Sequence, residues 1–449
     1  MSKRPISRRL LLAGVAVAAT AASPLRAATA RPSLPLTERR LANGLHVVSL
    51  PEPGGGTVAV QMWYHVGSKD DPPGRSGFAH LFEHMMFKRT KHMADEMFDR
   101  LTEDVGGINN AFTADDVTAY QNEVPSNHLE RLLWAEAERL ANLDVSQAAF
   151  DSEREVVKEE FRERVEASPY GRLMNALPSL AYERHPYRRP GIGNIAELNA
   201  STLADLRAFH TTYYRPDNVT LIVAGDFDPA QLETAVDRYF GRLPRPSGSV
   251  PRVQVAEPRR TASRRVTLRA PNVPLPATAL LWQGPRAAHA DAPALQVASS
   301  LLAGGESSRI FEALVYRARS AQSAGFFAEM NADAGMLGVY AIAAAGRPLA
   351  ALPAALLREV QRLAQGPVAP AELDKVRAQL LTAKVAERET PQGRAAAAGW
   401  ALVMHGDVRA ADRELARLQA VQAGDVQRVL RQWVLGRPSV GVDYLQAAA

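Results

Sequence analysis

The chain contains no cysteine among its 449 residues. Disulfide bonds, thiolate nucleophiles and cysteine-based zinc fingers are therefore excluded, and any zinc ion must be held by histidine and carboxylate side chains. Aromatic residues make up only 6% of the chain. The arginine-rich stretches contain no interleaved aromatics, so no nucleic-acid partner is expected. The apolar run near the N-terminus, residues 10–22, is too short for a comfortable membrane span.

The composition is that of a globular protein, with 46% hydrophobic and 22% charged residues. A chain of this length exceeds one ordinary core. We predict an N-terminal domain over residues 31–243, a linker rich in Pro, Ser, Gly and Arg over 244–265, and a C-terminal domain over 266–449. Both halves open with two strands and a helix, which indicates an internal duplication. The expected fold class is α+β, with two similar domains, each a mixed or antiparallel sheet packed with helices, facing each other as a clamshell.

The N-terminus has the pattern of an export signal. Basic residues at 3–9 precede the apolar run, and an A-x-A cleavage sequence follows at 28–30. We therefore predict a signal peptide over residues 1–30, a periplasmic mature protein and no stable membrane span after cleavage. Residues 7–11 are also typical of a twin-arginine signal, with an ordinary secretory signal carrying a coincidental Arg pair as the alternative.

The most informative motif is H-x-x-E-H at residues 80–84. Histidines four residues apart lie on one face of a helix, so His80 and His84 can bind one metal ion together. Glu83 is then close to the open side of the metal, where it can take a proton from an activated water. This residue order is the inverzincin signature. The alternative is a surface helix with two solvated histidines.

A hydrolytic zinc site needs a third protein ligand. The acidic helix predicted around residues 153–160 places Glu153 and Glu160 on one stripe, beside apolar neighbours. A buried carboxylate pair requires a cation, which zinc would supply. From spacing alone, an ordinary acidic helix with Arg and Lys partners is the better explanation of either glutamate taken singly.

Together these motifs resemble the pitrilysin (insulinase) family of inverzincin zinc metallopeptidases, which includes mitochondrial processing peptidase. Residues 80–85 are similar to the family's H-[FL]-x-E-H-[ML], and residues 153–160 to its E-R-x-x-V-x-x-E. The resemblance implies Zn²⁺ as the cofactor and His80, His84 and Glu160 as its ligands. It also implies Glu83 as the general base and Glu153 as a carboxylate that orients a ligand histidine. Glu159 is the alternative to Glu160 if the register is shifted by one.

Residues 109–113 (Asn-Asn-Ala-Phe-Thr) resemble the family's N-A-x-T edge strand, and residues 214–226 its Y-x-P-x-N…V-x-G-D element. The first resemblance implies that Asn110 and Ala111 bind the substrate backbone by strand addition. From the residues alone, Asn-Asn after Gly-Gly is more often a turn.

One departure concerns an Arg and a Tyr that family enzymes usually supply from the C-terminal half. The Gly-rich turn that precedes them is present at residues 303–309, but Gln322 occupies the expected tyrosine position and no arginine aligns cleanly. We therefore expect a partner: either a related subunit that supplies the Arg/Tyr pair in a heterodimer, or a second copy in a homodimer that uses Gln322 or Arg319.

The function expected from these motifs is zinc-dependent endopeptidase action on short or unfolded peptides in the periplasm. The first alternative is a non-catalytic or partner-dependent subunit of a heterodimeric peptidase or assembly complex, because fold does not fix function. A metal-storage or metal-sensing protein is the second. A general base beside a single metal site suits catalysis better than storage.

Overall fold

The structure is a computed structural model, and it describes residues 35–448. The predicted signal peptide lies outside these residues. Among the described residues no helix combines the length and apolarity that a bilayer span requires.

The strands form two separate sheets, one in each half of the chain. The six strands of the first sheet are β1 (Thr37–Arg40), β2 (His46–Pro51), β3 (Thr57–Tyr64), β4 (Ile108–Thr113), β5 (Thr118–Pro125) and β6 (Val219–Gly225). The five strands of the second are β7 (Arg264–Ala270), β8 (Ala277–Gly284), β9 (Ala321–Met330), β10 (Gly335–Ala343) and β11 (Val440–Gln446).

Helices surround both sheets. Those of the first half are α1 (Phe78–Met85), α2 (Met97–Glu103), α3 (Leu129–Asn142), α4 (Gln147–Phe161), α5 (Gly171–Ala181), α6 (Ile195–Ala200), α7 (Leu203–Tyr213) and α8 (Pro229–Tyr239). Those of the second are α9 (Ala292–Ala303), α10 (Leu352–Gln365), α11 (Pro370–Ala386), α12 (Pro391–His405), α13 (Ala410–Ala420) and α14 (Ala423–Trp433). Two π-helical segments, Arg162–Ala167 and Phe311–Arg317, also occur. Between α8 and β7, where the sequence predicts the linker, the structure contains neither helix nor strand.

The two sheets repeat one topology. Their strand orders are β1-β2-β6-β3-β5-β4 and β7-β11-β8-β10-β9. In both, the first strand of the repeat pairs in parallel with the last (β2 with β6, β7 with β11), and the remaining pairs are antiparallel. The first sheet has one additional strand, β1, at its edge. This match confirms the predicted α+β class and the similarity of the two halves, while the predicted domain boundaries stay a prediction.

Each sheet is covered on one face by a helix from the other half of the chain. Helix α12 packs Ala395 and Ala398 against a layer of the first sheet that includes Trp63. Helix α5 places Leu173 and Leu177 against the second sheet. This cross-packing of α5 and α12 could not be predicted from the sequence. An apolar stripe shows that a helix face is buried, but it does not show which sheet buries it.

At Gly399, helix α12 lies directly against Trp63 of the first sheet. An added Cβ atom there would lie 2.1 Å from Trp63 Cε2, and Trp63 is completely buried. We expect Gly399→Ala to lower the free energy of unfolding by about 1–3 kcal/mol through overpacking. Chemical denaturation measures this, with Gly424→Ala as the control because nothing lies within 4 Å of a Cβ at that position of α14. Equal stability of the two variants would contradict the packing described.

A partly buried polar network joins equivalent hairpin turns of the two halves. Lys69 Nζ lies 2.7 Å from Asp116 Oδ1 in the β4–β5 turn and 2.8 Å from Asp333 Oδ2 in the β9–β10 turn. Tyr187 donates a hydrogen bond to Asp116 (2.6 Å). A hydrogen bond from His185 and the ion pair with Lys69 outweigh burial and hold the pKa of Asp333 down at about 2. The network fixes the edge strands β4 and β9 relative to each other.

Candidate metal centre

Helix α1 carries the H-x-x-E-H motif and begins at a glycine that the turn requires. Gly77 has a φ of 91°, a conformation that side chains disfavour. The Asp71 carboxylate accepts hydrogen bonds from the backbone N–H groups of Gly77 (2.7 Å) and Ala79 (2.8 Å) at the start of the helix. The apolar residues of α1, among them Leu81 and Phe82, are buried in the core. The motif histidines are thereby held on the opposite, partly exposed face.

His80, His84 and Glu160 converge. His80 Nε2 lies 3.1 Å and His84 Nε2 lies 3.4 Å from the same Glu160 oxygen, Oε2. One ligand atom from each of the three residues lies within 4.8 Å of the others. Two imidazole nitrogens and one carboxylate oxygen are a donor set that zinc prefers, and three protein ligands leave a fourth position open. The residues present therefore fit a catalytic rather than a structural zinc ion.

The structure separates Glu160 from its neighbour Glu159. The Glu159 side chain is 61% exposed and pairs with Arg162 at 2.7 Å, whereas Glu160 is 16% exposed and faces the histidines. The other Glu160 oxygen, Oε1, lies 2.7 Å from Arg164 Nη1. Of the two registers, the geometry favours Glu160 as the third ligand.

Glu153 lies behind His84. Its Oε2 atom is 3.5 Å from His84 Nδ1, and its Oε1 atom is 2.7 Å from Lys88 Nζ. Burial raises the pKa of Glu153, but the hydrogen bonds from His84 and Lys88 outweigh burial and lower it overall. An ionised carboxylate on the far nitrogen of a ligand histidine fixes the orientation and tautomer of the ring. This position suits the orienting role predicted for Glu153.

Glu83 is held from the neighbouring strand. Thr113 Oγ1 donates a 2.6 Å hydrogen bond to Glu83 Oε2, and His80 Nδ1 lies 3.5 Å from the same oxygen. Thr113 belongs to the N-A-x-T resemblance, but the sequence did not reveal its contact with Glu83, nor that of Lys88 with Glu153. Two signals could have found them. Ala111 and Thr113 share one face of a strand by alternation, and Lys88 follows His84 by four residues, just beyond the end of α1.

The segment 109–113 is a strand rather than the alternative turn. β4 is the last strand of its sheet, so its outer edge is unpaired within the described chain. The Asn110 side chain accepts a 2.9 Å hydrogen bond from the Ala111 backbone N–H. A peptide that pairs with Ala111 would therefore have to displace this side chain. Substrate binding by Asn110 and Ala111 stays a prediction.

Gln322 and Arg319 do not reach the candidate centre. Gln322 is an exposed extra residue in β9, since Ser323 pairs with Ile342 and Ala321 with Ala343. Arg319 is exposed and has a φ of 46°. Within residues 35–448, neither side chain forms a hydrogen bond or ion pair with the three candidate ligands or with Glu83.

Carboxylates dominate the electrostatics around the histidines. Burial lowers the pKa of His84, but the hydrogen bonds to Glu153 and Glu160 outweigh burial and raise it to about 9. The pKa of His80 is raised as well, because Glu160 and Glu83 overcome the same effect of burial. Hydrogen bonds from His80 and His84 hold the pKa of Glu160 far below its usual range.

These shifts predict how metal binding depends on pH. In the metal-free protein the raised pKa of His84 adds stability that is complete below its ordinary value of 6.5 and is lost as the pH rises through about 9. Zinc binds the neutral ring, so its affinity should increase by about tenfold per pH unit per displaced proton between pH 7 and 9. Chelator competition across this range measures the affinity. An affinity independent of pH would contradict the protonated state assigned to His84.

In the described part of the second half, no equivalent group of histidines and carboxylates is found. Helix α9 follows β8 as α1 follows β3, yet its sequence, APALQVASSLLA, contains neither His nor Glu. The fold is thus repeated, but only one repeat carries a cluster of two histidines and one carboxylate. A further glutamate, Glu83, lies beside that cluster. This is the arrangement of an inverzincin-type protein.

Comparison with known proteins places the chain in a family. Residues 46–194 match the family described as insulinase (peptidase family M16), and residues 200–380 match the peptidase M16 inactive domain. Zinc protease PqqE of Helicobacter pylori is 33% identical over 342 residues, which cover 75% of this chain and 76% of that protein. The chain therefore belongs to peptidase family M16, the insulinase family, and the resemblance drawn from the motifs is confirmed.

Two further relatives extend the comparison. The probable mitochondrial-processing peptidase subunit beta of Arabidopsis thaliana is 26% identical over 402 residues, covering 88% of this chain and 75% of that protein. The crystal structure of a protease from Helicobacter pylori superimposes with a TM-score of 0.88 at 29% identity, covering 92% of this chain and 100% of that one. The fold is thus that of the family over nearly the whole described chain.

Proposed function

We propose that this protein is a periplasmic zinc-dependent endopeptidase that hydrolyses short or unfolded peptides. The observation that carries the proposal is the convergence of His80, His84 and Glu160 beside Glu83, whose carboxylate is not one of the three candidate ligands. The name of the H. pylori relative, zinc protease, supports the same chemistry.

In the proposed mechanism, His80, His84 and Glu160 hold the zinc ion. When bound, zinc supplies Lewis acidity, which makes water more acidic and stabilises negative charge on the scissile carbonyl oxygen. Glu83 accepts the proton of the attacking water and delivers it to the leaving amine. Thr113 holds the Glu83 carboxylate in place, and the free edge of β4 aligns the peptide backbone.

Glu153 and Lys88 keep the ligand His84 in position. Glu153 orients His84 from the far ring nitrogen, and Lys88 neutralises Glu153. Partners of this kind typically change metal affinity or activity by about 10- to 100-fold when they are removed. Glu153 thus acts through His84 and not on the substrate.

The proposal is tested by incubating the purified mature protein, alone, with a library of quenched unstructured peptides, with and without zinc. Cleavage that requires zinc supports a self-sufficient peptidase. A protein that binds one zinc ion per chain but cleaves nothing would instead point to a missing subunit.

A partner that completes the site is the second part of the proposal. Neither Gln322 nor Arg319 replaces the expected Arg/Tyr pair within the described chain, and the A. thaliana relative is named as a subunit. We expect the chain to assemble with a related subunit or with a second copy of itself. Size-exclusion chromatography alone and with the product of a neighbouring gene tests this, and a fully active monomer would contradict it.

A non-catalytic subunit is the alternative function, which Gln322 in the tyrosine position favours. Zinc stoichiometry separates the two functions, because a scaffold has no physical need for a buried acidic metal cluster. A chain that folds without binding zinc would support the scaffold.

Export to the periplasm rests on the N-terminal sequence. We expect the tagged protein in the periplasmic fraction, and we expect Arg8→Lys with Arg9→Lys to block its export if the twin-arginine route is used. Export that survives this change would favour the ordinary secretory route, and retention of the unaltered protein in the cytoplasm would contradict the location.

A further inference from the structure

A cavity of about 520 Å³ lies between α12 and four other elements of the second half, namely α9, β9, α11 and α13. Helix α12 lines it with one stripe that includes Ala397, Trp400 and Met404, while its opposite stripe packs on the first sheet. Strand β9 contributes Ala328 and Met330 from the other side. The cavity has the size of a small-ligand pocket, and much of its lining is apolar.

Trp400 connects this cavity to the edge strand β4. Its ring stacks on Phe112 of β4, with centroids 5.4 Å apart and planes 19° from parallel. Phe112 is the immediate neighbour of Thr113, which holds Glu83. Trp400 therefore lies between the cavity and the strand that also contacts the general base.

The side chains on the two faces of β4 pack against different parts of the molecule. Ala111 packs toward the core that contains α1, and Thr113 reaches Glu83 on the same side. Phe112 packs toward α12. Side chains of a peptide added to β4 would alternate in the same way. Every second side chain would face the candidate metal centre, and those between would face α12.

Charged side chains at the rim of the cavity have partners within the chain: Arg417 donates a 2.8 Å hydrogen bond to the His289 carbonyl, and the others form ion pairs. Lys384 Nζ lies 3.7 Å from Glu387 and 4.0 Å from Glu414. Arg388 lies 3.1 Å from Asp412. Because these pairs offset the rim charges and the stripe beneath them is Ala, Trp and Met, the cavity favours a neutral apolar side chain over a charged one.

We propose that this cavity is a specificity pocket that receives a bulky apolar side chain, aromatic, leucine or methionine, of a peptide bound along β4. The inference rests on the proposed function, because β4 is the strand along which the substrate would lie. The pocket would give the protein a sequence preference that does not come from the metal centre. The selected position of the peptide would lie an odd number of residues from a side chain that faces the centre, and it would favour large apolar residues.

The test measures peptide binding to zinc-loaded Glu83→Gln, so that recognition is read without cleavage. A set of fluorescent peptides carries Phe or Ala at each position in turn. We expect Phe to bind about 10-fold more tightly than Ala at one position, with neighbouring positions indifferent. Ala397→Leu, which fills the cavity, should abolish that preference, and Met404→Ala, which enlarges it, should shift the preference toward Trp. Ala371→Leu on α11 is the matched control, since Ala371 is exposed and does not line the cavity.

Each outcome decides the inference. A preference that survives both Ala397→Leu and Met404→Ala, no preference at any position, or no binding at all would overturn it. If Ala397→Leu fails to fold, the Met404→Ala result decides alone. Zinc-dependent cleavage by the unaltered protein without a Phe preference would overturn the pocket and leave the proposed function standing. A Phe preference without any cleavage by the unaltered protein would leave the pocket standing and count against the proposed function.

Discussion

Replacement of Glu83 by Gln is expected to lower peptide hydrolysis by about 10³-fold while one zinc ion per chain is retained. Glutamine has the shape of glutamate and can still accept the hydrogen bond from Thr113, but it cannot take a proton from water. None of the three candidate ligands is altered, so metal binding should persist. The measurements are kcat/KM on a quenched peptide and the zinc content of the purified variant.

The control for this prediction is Glu103→Gln, which changes an exposed glutamate of α2. It should cleave at the rate of the unaltered protein. If Glu83→Gln cleaves at that rate as well, Glu83 is not the general base. Loss of zinc from Glu83→Gln would mean that its carboxylate helps to hold the metal.

Replacement of Glu160 by Gln is expected to weaken zinc binding by roughly 100-fold or more. This is a larger loss than is typical when a residue that contacts a ligand, but not the metal, is removed. Glu160 presents one oxygen to both histidines, at 3.1 and 3.4 Å. Removing its charge takes away the only carboxylate among the three candidate ligands. Activity should fall in parallel and recover in part at high zinc concentration.

Glu159→Gln is the matched control for Glu160→Gln, because it makes the same change one position earlier. The Glu159 side chain points away from the histidines and pairs with Arg162. Zinc affinity should be unchanged in this variant. If Glu159→Gln loses zinc and Glu160→Gln keeps it, the register drawn from the structure is wrong.

The sequence was most informative where the chemistry is local. His80, Glu83 and His84 occupy one turn of helix, so helical geometry alone relates them. Glu160 lies on a different helix, and spacing alone could not decide whether Glu159 or Glu160 is the third ligand. The structure decides it, because the two side chains leave α4 in different directions. Thr113 was missed as a partner of Glu83 because the contact crosses from a strand to a helix.

The fold was predictable in class and repeat but not in every element. Helix α5 has a weak helix signal in the sequence, since it contains Gly171 and Pro178. Its apolar stripe nevertheless covers the second sheet. Helix α14 has a clearer pattern, because Val426, Val429 and Leu430 are buried at helical spacing. The acidic helix predicted around residues 153–160 lies within α4, and the chain changes to π-helical geometry at Arg162.

The cross-packing of α5 and α12 lies beyond sequence reasoning for a physical reason. Each sheet presents two apolar faces, and any amphipathic helix of suitable length could cover either one. Which helix does so depends on fit, such as the close approach of Gly399 to Trp63. That choice has a consequence for the proposed function, because it places Trp400 against the edge strand β4.

The central claim is that His80, His84 and Glu160 bind a zinc ion that this chain uses to cleave peptides. The most direct measurement is a titration of zinc into the metal-free mature protein while peptide cleavage is followed, alone and in the presence of any partner that co-purifies. The account predicts a rate that rises linearly and reaches its plateau at one zinc ion per chain, and no such rise in Glu160→Gln at the same concentrations. Cleavage that is complete without zinc, or a plateau that Glu160→Gln reaches equally, would contradict it.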